Sequence, residues 1–469
     1  MGTQPDAERV RRREEHRLPR IDHHRYPPRS PLSPRVRPVT SANRPTDRTA
    51  SFADHVRIPP RLPIVSGASA IVAGIIALPP GPRHPHGIAH PGAISRSQGE
   101  HPIEAIILVG GLGTRLRPLT LTTPKPMIPV MNRPFLEHVV RWLASHGVDH
   151  LIFSTYHLPE PIRAHFGDGD RFGLAIEYSQ EERALGTAGA LKHAEPMLRD
   201  DRFIIFNGDI LTDVDLTALM AHHRSAGAIA TVALAEVADP SAYGMVVLDD
   251  AGRVLRWVEK PSPAEAVSPW VNLGGSILER RALDVLPPGE VRSLERDLYP
   301  SLIASPDPVA GFRTHAFWRD LGTPERYRAA HDEALRGQVA LPSVQPDLVT
   351  PDRFPGVRVF GPVTVGSGTT IGAGTRLIGP ACIGPDCVIG RLCTVDRAVF
   401  WSGVTLGDRT TVSGSIVGDG VTIGPGCDLT GDTVVGAGAR IGAGNILTNG
   451  IRIAPGATLA EGVLTFEPR

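Results

Sequence analysis

From Ile103 onward, short apolar runs alternate with amphipathic stretches. AIILVGG, HLIFSTY, RFIIFNGD and ATVALAEV are β-branched runs of strand length. FLEHVVRWLASHG and DLTALMAHHRSAG carry apolar residues at helix spacing and stop at a glycine. Strands alternating with helices predict an α/β, Rossmann-like domain with a mostly parallel sheet covered on both faces. In such a sheet ligands sit at the carboxyl ends of the strands.

From about Val357 the period changes to six. Val359, Val365, Ile371, Leu377, Ile383, Ile389 and Val395 recur at every sixth position. Leu406 and Val412 resume the repeat after an interruption at Trp401, and Val417 to Leu459 continue it in a new phase. Hexapeptide periodicity predicts a left-handed parallel β-helix in which each aliphatic residue stacks on its equivalent one coil away. The phase shifts predict a loop or distorted corner near Trp401 and Ser413.

The residues before Gln98 are rich in Arg, His, Pro and Ser and show little apolar periodicity. They cannot bury enough surface to offset the entropy of ordering, so residues 1–100 are expected to be a disordered extension. Residues 101–340 are then the α/β domain, 341–356 a linker and 357–469 the β-helix.

Composition narrows the classes of partner. Lys+Arg and Asp+Glu are both 49. This balance supplies no global field for nucleic acid or an anionic membrane, so neither is expected as a partner. No apolar run approaches the roughly 18 residues of a membrane span, and the chain is expected in the cytoplasm. Cys382, Cys387, Cys393 and Cys427 lack the paired spacing of a zinc site and are expected to be buried thiols.

The candidate chemistry begins where the first apolar run ends. Gly110-Gly111-Leu112-Gly113-Thr114-Arg115 can turn backbone N–H groups and a guanidinium onto an anion. It is not a Walker loop, which needs GK followed by Ser or Thr, nor a dinucleotide fingerprint, whose third glycine position here holds Leu116. Lysine occurs only at Lys125, Lys192 and Lys260, and two of these stand in the proline-bounded PKP and EKP. A chain that otherwise takes arginine points there to a need for a compact ammonium on phosphate. Asp209 follows RFIIFNG and Asp320 precedes a glycine turn in WRDLGTP. Carboxylates at strand ends suit Mg²⁺ as a cofactor, whereas Asp213 and Asp215 read as turn or cap residues.

The motifs GGLGTRLRPLT, PKPMIPV, LGTAGAL, NGD, YGMV, VEKP, NLG and WRDLGTP, in this order, resemble the sugar-1-phosphate nucleotidyltransferases. With the hexapeptides, the chain is most similar to mannose-1-phosphate guanylyltransferases. The resemblance implies that Gly110, Gly111, Gly113, Thr114 and Arg115 hold nucleotide phosphates, with Lys125 at the α-phosphate. It implies Glu181, Gly186 and Thr187 at the base and ribose, although Arg183 stands where an acidic residue is common. Gly244, Glu259, Asn272 and Gly274 would meet sugar hydroxyls, Lys260 the sugar phosphate, and Asp209 and Asp320 the Mg²⁺. The implied substrates are a nucleoside triphosphate and a sugar 1-phosphate, and a homo-oligomer is expected. GTP with mannose 1-phosphate is the first expectation, and glucose 1-phosphate with dTTP or UTP the alternative. A catalytically silent regulatory homologue would be expected to have lost Arg115, Lys125, Asp209 or Asp320. An acyltransferase β-helix would need a histidine base, and none follows His331. All the motifs precede the repeat, so the repeat is expected to affect assembly more than chemistry.

Overall fold

The computed structural model describes residues 103–340, 343 and 347–465. The extension expected over residues 1–100 lies outside the described residues.

The α/β domain is built on β1 (Ile103–Leu108), β2 (Val148–Thr155), β3 (Ala175–Gln180), β4 (Arg202–Asn207), β5 (Ala230–Glu236), β6 (Gly244–Leu248), β7 (Val254–Glu259), β8 (Trp270–Glu279) and β9 (Val309–Thr314). They form one nine-stranded sheet, with β7-β6-β8-β4-β1-β2-β3 along its path and β5 joining β8 to β9. The sheet is mixed. β3, β2, β1 and β4 run parallel, and β8 pairs antiparallel with both β4 and β5. Strand order reverses at β1, whose neighbours are β2 on one side and β4 on the other, so the crevice of a doubly wound sheet opens at the ends of β1 and β4.

Period-2 burial explains why both faces are covered. Ala105 and Ile107 of β1 and Ile204 and Phe206 of β4 join the core under α1 (Phe135–Ser145), α2 (Pro159–Phe166), α4 (Leu216–Ala226) and α6 (Pro324–Leu335). Ile106, Phe203 and Ile205 point the other way, toward α3 (Gly186–Ala194) and α5 (Tyr299–Ile303). The predicted helices follow their signals. Asp215 caps α4 by accepting from Thr217 N and Ala218 N, at 2.8 and 3.1 Å, and Gly227 ends it at φ +55°. Asp213 accepts from Phe317 N and Ala340 N. Asp215 is the helix cap expected of it, whereas Asp213, expected in a turn or cap, instead ties together segments distant in sequence.

The repeat forms three six-stranded parallel sheets, the faces of a left-handed β-helix. The first face stacks Val359, Leu377, Val395, Val412, Leu429 and Leu447. The second stacks Val365, Ile383, Phe400, Val417, Val435 and Ile453. The third stacks Ile371, Ile389, Leu406, Ile423, Ile441 and Leu459. Of the two possibilities at the phase shifts, a loop is absent. One residue is omitted from the corner between first and second faces after Asp396 and again after Ser413, so Phe400 rather than Trp401 enters the stack. The four cysteines are buried free thiols. Cys387, Cys393 and Cys427 each donate Sγ–H to a carbonyl one coil on, Trp401 O, Gly407 O and Gly442 O. Within the stretch expected as a linker, Val349 N already donates to Val363 O and its side chain joins the β-helix core.

Between its first and last strands, which carry Thr364 and Arg452, the second face is apolar on both sides. Its outward Cys382, Val399, Ile416 and Val434, with Trp401, belong to the same buried cluster as α1 and α6. No helix among the described residues is long and apolar enough to cross a membrane.

Candidate active site

The carboxyl ends of β1 and β4 are tied together: Gly208 N donates to Leu108 O, and Val109 N to Ser154 O at the end of β2. Gly208 must be glycine, because an added Cβ would lie 2.8 Å from Leu108 O. Above this rim opens a cleft of about 400 Å³. Gly110, Gly111, Lys125, Glu181, Gly186, Thr187 and Asp209 all line it, seven of the residues expected from sequence.

Two carboxylates distant in sequence meet here through a short strand pair. Trp318–Asp320 runs antiparallel to Ile210–Thr212, with Asp320 opposite Ile210, and Leu321 N donates to Asp209 O at 3.1 Å. Lys125 is 9% exposed and reaches between the two acids. Its Nζ donates to Asp209 Oδ2 at 2.5 Å and lies 3.7 Å from Asp320 Oδ1. Asp320 Oδ2 is held by Arg326 Nη1 at 2.5 Å. Asp320 Oδ1 is buried with no hydrogen-bond partner. A buried anionic oxygen left without a hydrogen bond is costly, and it suits a cation ligand. Arg115, exposed in the first turn after the glycines, converges on the same place. A Cβ on Gly322 would lie 2.7 Å from Arg115 Nη2 and 2.9 Å from Asp320 Oδ1.

The glycine turn is sterically required at Gly113, whose φ is +59° and whose added Cβ would press on Thr120 and Lys125. Thr114 opens the short helical turn Thr114–Leu116. Other expected residues already have partners inside the protein. Glu181 accepts from Ser154 Oγ at 3.2 Å and Leu185 N at 2.8 Å. Gly186 lets the backbone of Arg292 approach, a Cβ there meeting Arg292 O at 2.5 Å. Thr187 Oγ1 accepts from Leu294 N and donates to Glu295. Arg183 donates to Gly289 O.

The residues expected at the sugar form a second group outside the cleft lining. Gly244 faces Glu259 across β6 and β7. Burial, and then the Glu295 carboxylate, raise the Glu259 pKa above the ordinary carboxylate value. Asn272 Oδ1 accepts from Gly274 N at 2.9 Å, where β8 breaks register at φ +100°. That bulge brings Gly274 against Asn207 Nδ2, 3.2 Å from where a Cβ would stand, and so toward the end of β4. Lys260 is not brought in. Its side chain is 64% exposed and its nearest anionic partner is Glu259 at 3.9 Å.

Sequence reasoning missed Ser154, Tyr156 and Arg326. The end of HLIFSTY carries the first two to the same rim as Gly110, a placement readable from β1 and β2 being parallel neighbours. Nothing in the spacing of Arg326 signals its contact with Asp320.

The nucleotidyl transferase family profile matches residues 104–337, and that of the EIF2B subunit epsilon LbH domain matches residues 356–447. A mannose-1-phosphate guanylyltransferase of Mycobacterium tuberculosis is 39% identical over 304 residues, covering 63% of this chain and 84% of that protein. A UTP–glucose-1-phosphate uridylyltransferase of Synechocystis is 37% identical over 330 residues, covering 65% and 84%. Mannose-1-phosphate guanylyltransferase 1 of Arabidopsis thaliana is 32% identical over 345 residues, covering 71% and 91%. Likeness that extends over most of these enzymes' length, and takes in the elements that build the cleft, means that the chain belongs to the nucleotidyl transferase family.

Proposed function

We propose that this nucleotidyltransferase joins GTP to mannose 1-phosphate, forming GDP-mannose and pyrophosphate. The observation that carries the proposal is the meeting of Lys125, Asp209 and Asp320 at the rim of the cleft. A phosphate oxygen of the sugar 1-phosphate attacks the α-phosphorus in line. One P–O bond forms as the bond to the β-phosphate breaks, and pyrophosphate leaves with the electron pair. The nucleophile is already ionised, so the protein's task is positioning and charge neutralisation rather than proton removal.

Lys125 and Arg115 offset charge on the phosphate oxygens, while Gly110, Gly111, Gly113 and Thr114 present backbone to them. Asp209 and Asp320 fit Mg²⁺ because both offer hard oxygens, one of them buried without a hydrogen bond, on either side of a cationic group. When bound, the ion supplies further neutralisation of phosphate charge. Glu181, Gly186 and Thr187 shape the base and ribose end of the cleft. Gly244, Glu259, Asn272 and Gly274 receive the sugar, with Lys260 recruited by its phosphate. Self-association belongs to the same proposal, since Phe360, Val388 and Leu392 leave apolar surface on the β-helix; sedimentation measures it.

The second reading is UTP with glucose 1-phosphate, favoured by the similarity to the Synechocystis protein. Pyrophosphate release over a matrix of nucleoside triphosphates and sugar 1-phosphates separates the two. GTP with mannose 1-phosphate should give the highest turnover. A preference for UTP or dTTP with glucose 1-phosphate selects the alternative, and no turnover with any pair would support a silent homologue.

A further inference from the structure

Lys125 opens the short helical turn Lys125–Met127, and a hairpin follows directly. Pro129–Val130 pairs with Arg133–Pro134, and Met131 and Asn132 between them have φ of 50° and 62°. Two successive left-handed residues are what a type I′ turn requires. Ile128 N donates to Lys125 O and Phe135 N to Ile128 O, so the backbone of Lys125 is tied to the base of the hairpin.

The β-helix grips this hairpin at both ends. At the tip, Asn132 Nδ2 donates to Ile383 O at 3.0 Å, and Asn132 Oδ1 accepts from Cys382 Sγ at 3.2 Å. Burial pushes the Cys382 thiol up to about 12, which keeps the proton needed for that bond. At the base, Trp401 Nε1 donates to the Tyr327 hydroxyl at 2.9 Å, and this hydroxyl donates to Pro129 O. Trp401 and Tyr327 are 1% and 0% exposed, so losing any of these partners strands a buried polar group. Cys382, Ile383 and Trp401 all come from the second face or its immediate continuation.

We infer that the second face of the β-helix positions Lys125: Trp401 through Tyr327, and Cys382 and Ile383 through Asn132, hold the hairpin that sets its ammonium. The inference rests on the proposed role of Lys125 at the reacting phosphate. A reaction driven by positioning is sensitive to such support, since a displacement of about 1 Å can cost on the order of 10²-fold in rate.

The test uses the full-length chain. Tyr327→Phe and Trp401→Phe remove the relay, and Asn132→Gly removes the tip contact while retaining easy access to φ > 0. Each is expected to lower kcat about tenfold or more, with KM for both substrates changing less than about threefold. Leu429→Val, in the β-helix interior away from this face, should lower Tm and leave kcat at the parental value. In a Lys125→Ala background, Tyr327→Phe should change kcat little, because the group it positions is gone. Parental turnover in folded Lys125→Ala would overturn the site assignment and the inference with it. Turnover lost in Lys125→Ala but retained in folded Tyr327→Phe and Asn132→Gly would overturn the inference alone, as would equal losses from Tyr327→Phe in both backgrounds.

Discussion

Lys125 and Asp320 illustrate how much a single residue's meaning depends on its neighbours. The ammonium contacts Asp209 and lies 3.7 Å from the first oxygen of Asp320, while Arg326 takes the second and leaves the first without a hydrogen bond. Removing one preorganised charge from such a site should be severe. Lys125→Ala is expected to lose on the order of 10²-fold or more in kcat, with partial recovery in Lys125→Arg because the guanidinium is wider. Asp209→Asn and Asp320→Asn should lower kcat and raise the Mg²⁺ concentration for half-maximal rate, measured by pyrophosphate release during a Mg²⁺ titration. Near-parental kcat in folded Lys125→Ala would remove the mechanism. Lys192, the one lysine outside the motifs, has structural partners of its own. Its Nζ pairs with Glu195 at 2.7 Å and donates to Leu283 O, so its substitution should alter stability while leaving kcat unchanged.

At the scale of elements, the packing of α1 against α6 carries its own titration behaviour. His138 on α1 donates Nε2–H to Val130 O and accepts from Ser343 at Nδ1, and His331 on α6 is buried with neither ring nitrogen paired. Burial holds His138 down to about 4 and His331 down to about 3. Both rings are neutral in the folded state, whereas in the unfolded chain they take up protons below about 6.5. Stability from these groups is therefore full above that pH and falls as pH drops toward 4 and 3, by roughly 1 kcal/mol per pH unit for each ring. Urea midpoints at pH 7.5 and pH 5 should show this loss, and His331→Leu should reduce it. An unchanged acid dependence in His331→Leu would exclude the ring as its source. The elements also decide what two motif residues do. The hydroxyl of Thr187 and the backbone of Gly186 are engaged by the 292–295 segment, so part of LGTAGAL serves packing as well as the cleft.

The α/β domain and the β-helix are joined through a shared core. Tyr327 and Ala330 of α6 and Trp142 of α1 lie in one buried cluster with Val399, Trp401, Ile416 and Val434 of the β-helix. Burying large apolar side chains is worth about 1.5–3 kcal/mol each, so the joint is strongly coupled. Thermal unfolding followed by Trp fluorescence and by far-UV circular dichroism should give coincident single transitions over the described folds. Two separated transitions would show that they unfold independently. The expectation that the repeat affects assembly more than chemistry came from motif positions alone. The inferred support of Lys125 through Cys382, Ile383 and Trp401 predicts a larger effect on turnover.

Local periodicity was sufficient to read the alternating strands and helices and the coil-on-coil stacking of the β-helix, because each depends on side-chain direction repeating along one segment; the glycine turn was legible from its composition at a strand end. Ordered motifs were sufficient for the nucleotidyl transferase family. Even the docking face left a signal, in that Cys382-Ile383, Val399-Phe400 and Val434-Val435 are apolar at both alternating positions, whereas Arg376, Thr394 and Thr411 turn polar groups outward on the first face. Only the tertiary structure decided that Asp209 and Asp320 meet, that Arg326 leaves one carboxylate oxygen of Asp320 without a hydrogen bond, and that Lys260 stands in solvent. Those outcomes depend on strand pairing and side-chain reach between distant segments, where the free energy lies in contacts that no window of sequence contains.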